Sequence, residues 1–263
     1  MICTSPNVLV LAGDRGDGDA VARMAGVESK VFAPVAGVPM LERVVAALRS
    51  ALPEAPVTVA IAPPSSPESK AVIDRLRRDG RVELMSPAAS PARTVAAALP
   101  DDGKALLVVT ADHALLTPAM VRHFLTSIAD DTNAAVGVAN RVTISAAYPE
   151  TRRTYWHFAD HDVSGCNLFL LNGREAAAIV QFWITLERDR KRPWVMIRRL
   201  GPLTLLRFAL GRLRLYQALD RLGQRVGGRL EAIDMPFAEA AMDVDRPGDL
   251  ILAEQILNGR TTC

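Results

Sequence analysis

The residues of this chain best suited to chemistry are a lysine and three aspartates: Lys30, Asp112, Asp243 and Asp245. Asp112 ends an apolar run that begins at Ala105, and ligands of open α/β sheets bind at the carboxyl ends of strands. Asp243 and Asp245 are two residues apart, so on an extended segment they face one side. Mg²⁺ takes one or two carboxylates together with waters and substrate phosphates, so Asp112 and Asp245, helped by Asp243, would suit it. Asp249 reads instead as a stabiliser of the following helix start. Near the N-terminus, Val8–Leu11 leads through Ala12 and Gly13 into a glycine- and aspartate-rich loop, Asp14 to Asp19. Backbone N–H groups in such a loop can hold phosphate oxygens where no side chain intervenes, and Lys30 adds a fixed positive charge. The spacing fits neither a Walker loop nor G-x-G-x-x-G.

Elements must bring these distant residues together. Strand-like runs at Val8–Leu11, Val57–Ile61, Leu106–Thr110 and Ala134–Val138 alternate with helical patterns at Met40–Leu52, Ser69–Arg78 and Pro118–Ile128. This alternation predicts an α/β fold with a mostly parallel sheet covered on both faces. Pro63–Pro67 and Ser86–Pro91 read as loops, the second leading into a helix at Ala92–Leu99. With 263 residues, 49% of them hydrophobic and 23% charged, a large core is feasible, and the chain is taken as a single domain, 1–263. Cys3, Cys166 and Cys263 are scattered without metal-ligand spacing, which fits reduced thiols, Cys166 serving packing rather than nucleophilic attack. Met1 to Asn7 lacks a basic n-region, so the expectation is a cytoplasmic protein without a secretory signal.

Three segments together resemble the MobA-like nucleotidyltransferases. Leu11-Ala12-Gly13, Lys30 and Pro34 to Leu41 are similar to that family's L-A-G-G-x-G-x-R, Lys and P-V-x-G-x-P-M/L, with Asp14 in place of the second glycine and Arg15 arriving early. Ala111-Asp112-His113-Ala114-Leu115-Leu116 resembles G-D-x-P-L-L, and Asp243 to Leu250 resembles D-x-D-T-P-x-D-L. The resemblance covers Pro6 to about Asn140 and Met235 to Leu257. It implies a Rossmann-like, GT-A-like three-layer fold and transfer of NMP from an NTP to a phosphorylated acceptor, with release of pyrophosphate. By the same resemblance Lys30, Asp112 and Asp245 are catalytic, and Asp112, Asp245 and Asp243 hold Mg²⁺. Leu11, Ala12, Gly13, Arg15, Ser90, Arg93 and Thr94 would contact the nucleotide, and Asn167 would face the acceptor. The base stays open between CTP and GTP.

The region 152–230 falls outside the resemblance and reads as an insertion facing the acceptor or a membrane. Arg141, ahead of this region, and Arg153, within it, are the candidates for an anionic acceptor; His157 and His161 lack a third ligand at zinc spacing. From Arg188 to Arg229, twelve Arg or Lys stand against Asp189 and Asp220, a local balance of +10 beneath an overall charge of +2. Apolar residues, among them Trp194, Leu203, Leu206 and Phe208, interleave with Arg198, Arg199 and Arg207, which leaves no run of the roughly 18 apolar residues a spanning helix needs. Two readings stay open: an interfacial segment for an anionic bilayer, on the inner face of the cytoplasmic membrane, or a helical subdomain burying its own leucines. Nucleic acid is not expected, since no recognised motif accompanies the charge. A lipid or envelope precursor is the favoured acceptor on the basis of this segment alone. Two other functions compete. One is a nucleotide-sugar-dependent glycosyltransferase, whose Asp-x-Asp normally follows a mid-chain strand. The other is a non-catalytic, nucleotide-sensing membrane adaptor.

Overall fold

A computed structural model of the chain describes residues 6–13, 18–78, 80–189 and 201–261. The strands are β1 Asn7–Leu11, β2 Pro34–Val35, β3 Val38–Pro39, β4 Val57–Ala60, β5 Val82–Met85, β6 Leu106–Thr110, β7 Ala134–Asn140, β8 Trp156–His157, β9 Asp162–Leu171 and β10 Leu230–Asp234. The helices are α1 Ala20–Ala25, α2 Met40–Ala51, α3 Pro67–Arg77, α4 Pro91–Ala98, α5 Pro118–Thr126, α6 Arg141–Ala147, α7 Ala176–Asp189, α8 Pro202–Ala209, α9 Leu215–Val226 and α10 Pro247–Thr261. Short 3₁₀ turns cover Lys30–Phe32 and Ala238–Ala241.

The main sheet runs β10-β7-β9-β6-β1-β4-β5, with β8 hydrogen-bonded to β9, while β2 and β3 form a separate ribbon. Every pairing from β6 to β5 is parallel, as is β7 with β10; β9 runs antiparallel to both β6 and β7. In β1, Val8 and Val10 face a core shared with α2, α3 and α5. Leu9 faces the opposite core, with Val95 of α4 and Val180 of α7. Burial on both faces is why such strands read as unbroken apolar runs. The fold is the three-layer α/β arrangement that the alternating pattern predicted.

Part of the 152–230 region belongs to the heart of the sheet. β9 lies between β6 and β7, so the excursion beyond the sheet comprises α7, α8 and α9, as far as the described residues show. The polar-aromatic start of this stretch hid a central strand, because its buried residues alternate irregularly around a bulge. Across it the register shifts between Val136 and Val138, and Asn167 adopts φ +52°. Gly137 suits the close approach there: a Cβ would come within 3.3 Å of Leu168 Cβ and 3.4 Å of Cys166 Cβ. Bulges re-aim side chains, and this one turns Asn167 towards the aspartates described below.

Downstream, α9 lies against β10, and Gly223 is required by the turn between them, where a Cβ would lie 2.5 Å from the Gly228 carbonyl oxygen. Internal packing therefore holds only in part for α9, whose Leu215, Leu219 and Leu222 are half-buried. It does not hold for α8, whose Leu203 and Leu206, with Leu210 just past its end, are 58%, 55% and 57% exposed. Phe208 is half-buried, its ring 5.4 Å from Phe158 and 6.3 Å from Trp156. Of the apolar residues expected at a membrane surface, Leu203 and Leu206 are exposed and Phe208 is half-buried. Trp194, Arg198 and Arg199 lie outside the described residues. No described helix is long and apolar enough to cross a membrane.

Candidate active site

Alternation builds the site from the C-terminal segment. Met242 and Val244 are buried in a cluster with Met40, Leu115 and Leu250, leaving Asp243 and Asp245 to project the other way. Burying each apolar side chain contributes about 1.5–3 kcal/mol, enough to hold the segment despite the repulsion between its carboxylates. The Val244 amide donates to the Asp112 carbonyl at 3.0 Å. The end of β6 and the Asp243–Asp245 segment are thus joined by backbone before any side chain acts. Thr110 Oγ1 donates to Asp112 Oδ1 at 2.5 Å and fixes that carboxylate from its own strand.

Lys30 sits at the centre. It is carried by a 3₁₀ turn whose Val31 and Phe32 are buried, and its own side chain is only 7% exposed. Its Nζ lies 2.7 Å from Asp112 Oδ2 and 2.6 Å from Asp245 Oδ1, and donates to the Val244 carbonyl at 3.1 Å. Burial alone would lower the Lys30 pKa, but Asp112 and Asp245 outweigh it and raise it, so the ammonium stays charged. Asp243 is raised, first by burial and then by the charges of Asp112 and Asp245. Among the described residues, these three aspartates form a group whose carboxylate oxygens can lie within 4.8 Å of one another. Hard oxygen donors at that spacing, already neutralised in part by an ammonium, fit a small divalent cation.

Arg153 clamps the outer side. Its Nη1 donates to Asp243 Oδ1 at 2.9 Å and its Nη2 to Asp249 Oδ1 at 3.1 Å. Asn167 Nδ2 donates to Asp243 Oδ2 at 3.1 Å. Asp249 Oδ2 in turn accepts from the amides of Asp245 and Arg246, at 3.3 and 2.9 Å, the helix-start role expected of it. Arg153, expected to meet the acceptor, is paired with two carboxylates and lines the cavity beside them. Arg141 pairs with Asp162 at 3.2 Å and lies over the Tyr155 ring, away from the aspartates.

On the nucleotide side the placements differ residue by residue. The Leu11 carbonyl accepts from Ala111 and the Ala12 amide donates to Ala60. Ala12 therefore offers no N–H to a phosphate here, and the amide of Gly13 is the first after it with no protein acceptor among the described residues. Arg15 lies outside the described residues. Ser90 caps α4, accepting from the Arg93 amide at 3.4 Å. Thr94 is buried, its hydroxyl accepting from Ala88 and donating to the Ser90 carbonyl, so both side chains shape the loop and Arg93 alone stays exposed. Burial lowers His113 to about 4 and raises the Cys166 thiol, which leaves the first neutral and the second inert at neutral pH. Sequence reasoning missed the Thr110 contact, although its position two residues before Asp112 was the available signal. It also missed that Arg152 and Arg246 line a cavity of about 270 Å³ with Asp243, Asp245, Asn167 and Trp156.

A mostly parallel sheet, with a lysine and three carboxylates converging beyond the end of β6, places the candidate site where ligands of open α/β sheets bind. Residues 8–229 match the MobA-like NTP transferase domain, and the chain belongs to that family. The match runs through the 152–230 region, which the sequence had placed outside the resemblance, and stops short of Asp243–Asp245. The physical reason is the central position of β9, without which the sheet is not continuous. A hypothetical transferase structure from Thermus thermophilus is 27% identical with a TM-score of 0.78, covering 94% of this chain and 100% of its own. The structure of CMP:2-keto-3-deoxy-manno-octonic acid synthetase complexed with CTP is 12% identical, with a TM-score of 0.56, covering 98% and 100%. At that identity it speaks for the fold alone. No curated protein matches the chain in sequence.

Proposed function

We propose that this NTP transferase moves NMP from an NTP to a phosphorylated acceptor and releases pyrophosphate. The observation that carries this reading is the convergence of Lys30, Asp112, Asp243 and Asp245 on one point beyond the end of β6. An anionic oxygen of the acceptor phosphate forms the new bond to the α-phosphorus as the bond to the bridging oxygen breaks, and pyrophosphate departs with that electron pair. Such an acceptor is already ionised, so no general base is required, and catalysis consists of positioning and charge neutralisation. Lys30, held charged, neutralises developing negative charge. Asp112 and Asp245, with Asp243, would hold Mg²⁺, which when bound supplies charge neutralisation at the triphosphate. Arg153 and Asn167 position Asp243.

The acceptor class we favour is a phosphorylated lipid or envelope precursor, met by a cytoplasmic enzyme that rests peripherally on an anionic membrane. Support comes from the basic stretch 188–229 and the exposed leucines of α8. CTP and GTP are the first nucleotides to test. Pyrophosphate release from a panel of NTPs, dependent on both Mg²⁺ and a phosphorylated acceptor, is the expected result. Turnover of a sugar nucleotide without pyrophosphate release would replace this reading with glycosyl transfer.

A further inference from the structure

Beside the reaction cavity lies a second one of about 570 Å³, within the usual size range for small-molecule sites. The two cavities share Arg152, Arg246 and Asp249 as lining residues. In the inner cavity the carboxylates are spoken for: Asp243 and Asp249 by Arg153, and Asp245 by Lys30. Arg152 and Arg246 remain, exposed, with no carboxylate partner among the described residues. The outer cavity is walled by Ala147, Tyr148, Pro149 and Leu252, and Glu150 is its other carboxylate. Tyr148 and Leu252 are braced from behind by the cluster that buries Met242 and Val244, and the Tyr148 hydroxyl is tied to Glu239 at 2.9 Å.

We propose that Arg152 and Arg246 bind the acceptor's phosphate, and that the outer cavity holds the acceptor's uncharged, largely apolar body. This rests on the nucleotidyl-transfer reading and names the substrate's two recognition elements. Two guanidiniums supply the bidentate geometry suited to a phosphate. They stand at the boundary between a polar cavity that contains the reacting groups and an apolar one that does not. A phosphate held there presents an oxygen inward towards Asp245, while its ester substituent points outward to Tyr148 and Leu252. Arg153 also lines the inner cavity, but its two terminal nitrogens are paired with Asp243 and Asp249, and Arg141 is paired with Asp162.

Calorimetry with phenyl phosphate and inorganic phosphate as probes tests the subsite without turnover. Phenyl phosphate should bind the wild type more tightly than inorganic phosphate does, since its ring gains the apolar wall. Arg152→Gln and Arg246→Gln should each weaken both probes about tenfold, as expected for loss of a hydrogen bond to a charged group. Ala147→Trp, which fills the outer cavity from an exposed position, should remove the advantage of phenyl phosphate and leave inorganic phosphate unchanged. Binding that persists when both arginines are replaced would place the anion elsewhere and overturn the proposal, as would equal affinity for the two probes. In turnover assays the arginine variants should raise the acceptor KM and leave the NTP KM unchanged. Should no NTP and acceptor pair release pyrophosphate while the probes still bind as described, the transfer reading fails and the anion subsite stands.

Discussion

At the residue scale the centre is a balance of charge: one ammonium among three carboxylates, two of which it touches directly. Asp112→Asn and Asp245→Asn each remove a charge that the site is built to present, and kcat should fall by about 100-fold or more in either variant. Circular dichroism should show the fold retained. Asp243→Asn should be milder, since Arg153 and Asn167 already draw on that carboxylate; a larger loss there than at Asp245 would reassign the second ligand. Lys30→Ala should lower kcat by about 100-fold, as expected for removal of a preorganised charge. It also leaves the aspartates without their cation, so Mg²⁺ should raise the variant's Tm more than the wild type's. Equal Mg²⁺ shifts in a thermal melt would show that Lys30 does not compete with the ion for the carboxylates, and no shift in either protein would show that they do not hold it.

At the element scale, the connection from α1 to the Lys30 turn is tied to the start of α3 by Glu28. Its carboxylate accepts from the amides of Ser65 and Ser66, at 3.0 and 3.1 Å, and from the Ser65 hydroxyl. Burial pulls the Glu28 pKa upward, but hydroxyl donors from Ser65 and Ser69 and the two amides overcome it, and the value is lowered to about 2 from 4.5. The native state thus binds this proton more weakly than the unfolded chain does. The associated stability is complete above pH 4.5 and is lost as pH falls from there towards 2. Discounted for solvent exposure, it is about 1 kcal/mol. Glu28→Gln should lower Tm by roughly 2–4 °C at pH 7, and the gap should close as pH approaches 2. A gap independent of pH would mean that shape rather than charge holds the loop.

At the scale of the whole molecule, charge is unevenly spread. The +10 stretch and the outward leucines of α8 should bring the enzyme to anionic vesicles, and flotation should weaken with salt, since exposed charges are screened over about 8 Å at physiological ionic strength. Replacing Leu203, Leu206 and Leu210 together with Ser should release it without disturbing the core, because all three are exposed. Flotation that is equal on neutral vesicles would remove the electrostatic component.

The sequence by itself determined the layer architecture and the candidate chemistry. Apolar runs such as Val8–Leu11 and Leu106–Thr110 must be buried on both faces, and Asp112 stands at the end of one of them. Asp112, Asp243 and Asp245 were legible because carboxylates at strand ends and alternating positions carry their geometry locally, and Lys30 was legible through the resemblance of its segment to the family's motif. Only the tertiary structure decided which charges are free. Arg153 and Arg141 look like anion binders along the chain, yet fold against Asp243, Asp249 and Asp162, while Arg152 and Arg246 are left at a cavity wall. Nothing local distinguishes Arg152 from Arg153, since pairing depends on groups about 90 residues away. The same holds for β9. A central antiparallel strand with a bulge has no regular period to read, and its place between β6 and β7 follows from the partners that bury it.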